Sequence, residues 1–143
     1  MTAMTHDRNG RPVVAKVKRS APERTAQIAV KRWIELVVPG AIVAASKNET
    51  AAKSEDPMAR ARFYQARATE GVVSGFPDLS VLLPGGRTLY IEMKSDVGRL
   101  SDAQRALHER LRAMGHCVGV ARSIEDARAF LIGAGVALIE SRA

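Results

Sequence analysis

Asp78, Glu92 and Lys94 are the residues whose types and spacing could do chemistry, and all three lie in the segment GFPDLSVLLPGGRTLYIEMK, residues 75–94. Glu92 and Lys94 are two positions apart. If Thr88 to Met93 forms a strand, both project from one face together with Tyr90, while Ile91 and Met93 project from the other. Asp78 opens a second apolar run, Leu79 to Leu83, and Pro84-Gly85-Gly86-Arg87 between the runs reads as the turn of a hairpin. A short turn brings Asp78 to the Glu92 end. Two adjacent carboxylates repel each other, and a hard divalent cation relieves the repulsion. Mg²⁺ (or Mn²⁺) takes one or two carboxylates and fills its shell with water and phosphate oxygens. The backbone carbonyl of Met93 is a further candidate ligand. Lys94 beside such an ion could orient a water or offset charge on a pentavalent phosphate. The same residues could equally form a cross-strand salt bridge at a sheet end, and the spacing alone leaves both readings open.

The elements that must position these side chains are visible in the apolar pattern. Ala26, Val30, Trp33, Ile34 and Val37 make one helical stripe that begins near Pro22 and stops at Pro39-Gly40. Ala41 to Ala45 reads as a short buried strand. Residues 46–74 are long for a connection, and Pro57 to Thr69 within them can form a helix. Ser101-Asp102-Ala103-Gln104 is a capping-box pattern. The helix it opens carries Ala103, Leu107, Leu111 and Met114 on one face, with Gly115 as its stop. Val118 to Ala121 is the last strand, and Ser123 opens a final helix reaching about Ile132. This order predicts an α/β fold, a small mixed β-sheet flanked by α-helices, within one domain spanning residues 21–143.

Residues 1–20 show no periodicity and are expected to form a disordered basic arm. Residues 1–32 hold eight Lys and Arg against Asp7 and Glu23, which accounts for six of the seven net positive charges of the chain. Such an arm suits a polyanion, nucleic acid first, or serves only as a solubilising tail. Arg60, Arg62 and Arg67 either contact phosphates or form a solvated helical face. No apolar run is long enough to span a bilayer, and the N-terminus lacks the apolar stretch of a secretory signal, so a cytoplasmic protein with no membrane partner is expected. Cys117, the single cysteine, reads as a small buried filler, and Trp33 as core. His6, His108 and His116 lack metal-ligand spacing with the cysteine, and His108, on the flank opposite Leu107, reads as solvated.

The pair Pro77-Asp78 followed by Glu92-Met93-Lys94 resembles the PD-(D/E)xK nuclease superfamily, and the fuller pattern resembles its virus-type replication-repair branch, the VRR-NUC domain. The matching pieces are Asn48-Glu49, Gly75-Phe76-Pro77-Asp78-Leu79, Ile91-Glu92-Met93-Lys94, Gly98-Arg99-Leu100-Ser101 with Gln104, Gly115-His116-Cys117-Val118, and the Ser-Ile-Glu-Asp start of the last helix. Stand-alone domains of this kind are common in phages and prophages, which would make the host cytoplasm the location. The resemblance implies a restriction-endonuclease-like core and divalent-metal-dependent hydrolysis of phosphodiester bonds in DNA. It implies Asp78 and Glu92 as metal ligands, Lys94 as the catalytic lysine and Glu23 as the first-helix acid that reaches the metal. Gln27, one turn on, is on the same face. Gln104 matches the family's helix glutamine and is also the third helical residue of the capping box. Lys16, Lys18, Arg19, Asn48 and Arg99 would contact nucleic acid. The sequence departs from the family after Asn48-Glu49, where an Ala-rich stretch replaces a basic or Ser-rich run, so those two residues can be read as site or as plain loop. The implied substrate is branched DNA, a four-way (Holliday) junction or a flap, cut by a homodimer. A non-catalytic DNA-binding module and a nuclease acting on RNA are the alternatives.

Overall fold

A computed structural model describes residues 21–46 and 52–140. The elements are α1 (Ala21–Val37), β1 (Ile42–Ala45), α2 (Pro57–Thr69), β2 (Leu79–Leu82), β3 (Thr88–Met93), α3 (Asp102–Ala113), β4 (Cys117–Ala121) and α4 (Ile124–Gly133). The strands form one sheet in the order β1-β2-β3-β4. The first three pair antiparallel, and β4 pairs parallel to β3. A parallel neighbour demands a crossover, which α3 provides. The result is the mixed sheet with flanking helices expected from the sequence. No described helix is long and apolar enough to cross a membrane.

Alternation along the strands sorts their side chains onto two faces. Leu79 and Val81 of β2, with Leu89, Ile91 and Met93 of β3, are fully buried on one face, in a cluster with Val30 and Ile34 of α1 and Ala127 and Leu131 of α4. Each of these Val, Leu, Ile and Met side chains contributes about 1.5–3 kcal/mol through burial. Trp33 packs partly buried against this cluster. Gly119 of β4 faces α4 so closely that a Cβ there would lie 2.5 Å from the Phe130 ring.

Three sequence expectations are corrected. The first strand is not buried: only Val43 is, while Ile42, Ala44 and Ala45 are exposed. Among the described residues it is an edge strand, paired on one side with β2. Cys117 is half-buried rather than enclosed, and its Sγ lies 3.3 Å from an Arg87 guanidinium nitrogen. The inward face of α3 is also turned from the expected stripe. His108 and Leu111 are buried and Gln104 and Leu107 half-buried, whereas Ala103 and Met114 are exposed. The reason lies in what α3 covers. It packs against β4 on the sheet face that carries Glu92, so polar side chains able to face a carboxylate turn inward along with the leucines.

Local chemistry sets where α2, α3 and α4 start. The Asp56 carboxylate accepts from the Met58 and Ala59 amides, and the Ser123 hydroxyl from the Asp126 amide. Ser101 and Gln104 form the reciprocal capping box. Gly75 has φ +80°, and a Cβ there would lie 2.6 Å from the Ala103 carbonyl oxygen. Only glycine lets the segment leading to Asp78 pass this close to the first turn of α3.

Candidate functional site

The β2–β3 register pairs Leu79 with Ile91. Continued by one step it sets Asp78 opposite Glu92, and by two steps Pro77 opposite Met93. Here the strands part. The Met93 amide donates to Asp78 Oδ2 at 2.9 Å instead of to the Pro77 carbonyl. That carbonyl accepts the Ser46 hydroxyl, and the Asp78 carbonyl accepts the Ser46 amide at 2.8 Å. The Met93 carbonyl points to the same side as its own amide. Pro77 has no N–H with which to close the ladder on it. The proline before the aspartate therefore leaves a backbone oxygen for another partner, next to two acids.

Glu92 is almost wholly enclosed, at 2 % exposure, and Asp78 is buried beside it. Gln104 Nε2 donates to Glu92 Oε1 at 2.8 Å, and Lys94 Nζ stands 3.5 Å from the same oxygen. Burial first, and the neighbouring Asp78 second, push the Glu92 carboxyl up to about 8, and Lys94 offsets only part of this. Without a cation, Glu92 is thus largely protonated at neutral pH. Its Oε2 has no hydrogen-bond partner among the described residues and faces His108 Nε2 at 4.0 Å. His108 is fully buried, not solvated as its position on α3 suggested. Burial, and then the nearby Arg112 and Lys94, lower its pKa, so it is neutral at pH 7.

The donor set is two carboxylates and one backbone carbonyl, all oxygen. No group of three or more His, Cys, Asp and Glu side chains gathers at metal-holding geometry among the described residues. Mg²⁺ habitually takes one or two carboxylates, so the residues present fit a hard divalent ion and not zinc.

The structure brings together Asp78, Glu92, Met93, Lys94 and Gln104. Glu23 is half-buried in the first turn of α1, and Gln27 is half-buried one turn on. Arg99 is exposed on the segment between β3 and α3. Lys16, Lys18, Arg19, Asn48 and Glu49 lie outside the described residues. The two readings of Gln104 prove compatible: its Oε1 accepts the Ser101 amide at 2.9 Å while its Nε2 holds Glu92. His108 was missed. Its available signal was the four-residue step from Gln104, which puts both on one face of α3.

The sequence profile of the VRR-NUC domain matches residues 20–125. The chain belongs to the VRR-NUC family. Among curated proteins none matches it. Two solved structures are similar to this VRR-NUC chain. One, titled "VRR_NUC domain", is 27 % identical, covers 80 % of this chain and 97 % of its own, and has a TM-score of 0.51. The other, "VRR_NUC domain protein", covers 81 % of this chain and 89 % of its own at 22 % identity and a TM-score of 0.50, a likeness of fold. The α/β architecture is therefore the VRR-NUC nuclease fold, and the family match spans every residue of the Asp78–Gln104 cluster.

Proposed function

We propose that this protein is a divalent-metal-dependent endonuclease that hydrolyses phosphodiester bonds in DNA. The observation that carries the reading is the buried Glu92 held against Asp78 with Lys94 beside it, a charge arrangement that a bound cation would balance. Asp78, Glu92 and the Met93 carbonyl would hold Mg²⁺ or Mn²⁺, with Glu23 reaching in from α1. A cation held there supplies a more acidic water and a counter-charge for the phosphate. Lys94, at 13 % side-chain exposure, keeps its ammonium directed at the carboxylates, where it can orient the attacking water and offset charge on the phosphate in the transition state. Gln104 fixes the rotamer of Glu92. Arg99 and the basic N-terminal residues, among them Lys16, Lys18 and Arg19, would hold backbone phosphates without reading sequence, and Asn48 would contact the strand near the scissile bond.

Branched DNA, a four-way junction or a flap, is the proposed substrate. Symmetric cutting of a junction needs two active sites, hence a homodimer with a twofold axis. The test is incubation of labelled junction, flap, duplex and single-stranded DNA, and an RNA control, with Mg²⁺, Mn²⁺ or EDTA. Metal-dependent cutting of DNA that disappears in Lys94→Ala is expected. A folded protein that binds every DNA and cuts none would instead be a binding module, and cutting of RNA alone would reassign the substrate.

A further inference from the structure

His108 is the buried polar group that the proposed mechanism does not use. Both of its ring nitrogens, and Glu92 Oε2, lack hydrogen-bond partners among the described residues. Burying such groups unpaired is costly, and a buried carboxylate oxygen especially so. The 4.0 Å between Nε2 and Oε2 is too short to admit a bridging water and about 1 Å longer than a direct hydrogen bond. A direct bond between the two needs only a small side-chain shift. Gln104, one turn before His108 on α3, already donates to the other oxygen of the same carboxylate.

We infer that His108 is a positioning residue for Glu92: its imidazole, carrying a proton at Nε2, donates to Oε2 while Gln104 donates to Oε1, so that one face of α3 clamps both carboxylate oxygens from behind. Against the ionised carboxylate, the form that a bound cation requires, only this tautomer presents a donor; the other sets a lone pair against the oxygen. Each oxygen keeps a second lone pair for the side that faces Asp78 and the Met93 carbonyl. The imidazole is wholly enclosed behind Glu92 and fixes the ligand's orientation without touching substrate. Partners of this kind, one bond removed from an ion, typically govern 10–100-fold of its affinity. The inference rests on the cation reading of the Asp78–Glu92 pair.

Two measurements test it. The first needs no metal: long-range ¹H–¹⁵N spectra of the metal-free protein at a pH well above 8, where the Glu92 carboxyl is ionised, with His108 assigned by loss of its signals in His108→Gln. The Nε2–H tautomer is expected, and the Nδ1–H tautomer overturns the inference. The second is calorimetric titration of Mn²⁺ into wild type, His108→Leu and His108→Gln, each shown to be folded by urea unfolding. His108→Leu should lose affinity by about tenfold or more, and His108→Gln, which carries an amide donor at similar reach, should recover most of it. Equal losses in both folded variants mean a packing role only and overturn the inference. Unchanged affinity in His108→Leu overturns it alone, whereas no Mn²⁺ uptake by wild type overturns the cation reading together with it.

Discussion

At the scale of single residues, the site is defined by a carboxylate kept where its charge is disfavoured. The folded Glu92 carboxyl titrates near 8, above the ordinary 4.5 that it regains on unfolding. Between those values the folded state holds a proton that the unfolded state releases. The stabilising contribution is complete below pH ~4.5 and is lost as pH rises through about 8, an effect on the order of a few kcal/mol. Urea unfolding in EDTA should show this decline, and Glu92→Gln should flatten it, leaving the variant more stable than wild type at pH 8 to 9 while abolishing Mn²⁺ binding. Added Mg²⁺ should raise the wild-type melting temperature more at pH 8.5 than at pH 6, because uptake at the lower pH must expel the proton. Lys94→Ala should lower the cleavage rate by at least about a hundredfold with DNA affinity nearly unchanged, measured by single-turnover cutting and by binding in Ca²⁺. The Asp78, Glu92 and Lys94 set could be read from the sequence because a two-residue step and a short hairpin are local relations. His108 was hidden by a competing signal: the apolar residues of α3 point to one inward face and the helix packs with another, so only the four-residue step from Gln104 marked it.

At the scale of elements, α3 matters as much to the site as the strands. Its first turn lies against the Gly75 segment, and its inward face carries Gln104 and His108 onto Glu92. Gly75→Ala would drive a Cβ into the Ala103 backbone at a positive φ, so both the helix and the approach to Asp78 must move. It should cost about 1–3 kcal/mol in urea unfolding and also slow cutting, because Gln104 shifts with Ala103. The limits of α2 and β3 were legible: Asp56-Pro57 is a strong helix start, and the alternation of Thr88 to Met93 is regular. The exposure of β1 was not. An apolar stretch of four residues looks the same whether it is central or at an edge, and only the strand order decides.

At the scale of the whole molecule, charge and substrate should match. Most of the net charge of +7 lies in the first 32 residues, and only Glu23 and Asp7 oppose it there. Removing residues 1–20 deletes Arg8, Arg11, Lys16, Lys18 and Arg19. DNA affinity should fall, and the slope of log K against log salt should become shallower by roughly 0.9 for each phosphate that the arm no longer neutralises, while Mn²⁺ affinity stays as it was. Fluorescence anisotropy across a salt series, beside calorimetry, separates the two effects.

The parallel pairing of β3 with β4 also carries a consequence for how the chain acquires its structure. Asp78 and Glu92 meet within a hairpin, whereas Gln104 and His108 arrive only when α3 has crossed over and β4 has docked. Hairpins close in about 1–10 μs, and crossover pairings form later because they must first close a longer loop. The two acids therefore approach each other while still surrounded by water, where a pair of charges about 4 Å apart repel by only about 1 kcal/mol, and the cost of enclosing them, met by a proton on Glu92 or by a cation, arises when the helix seals them in. The unfavourable step belongs to the last stage of assembly, so divalent ions should speed the docking of α3 and leave the closing of the hairpin unchanged.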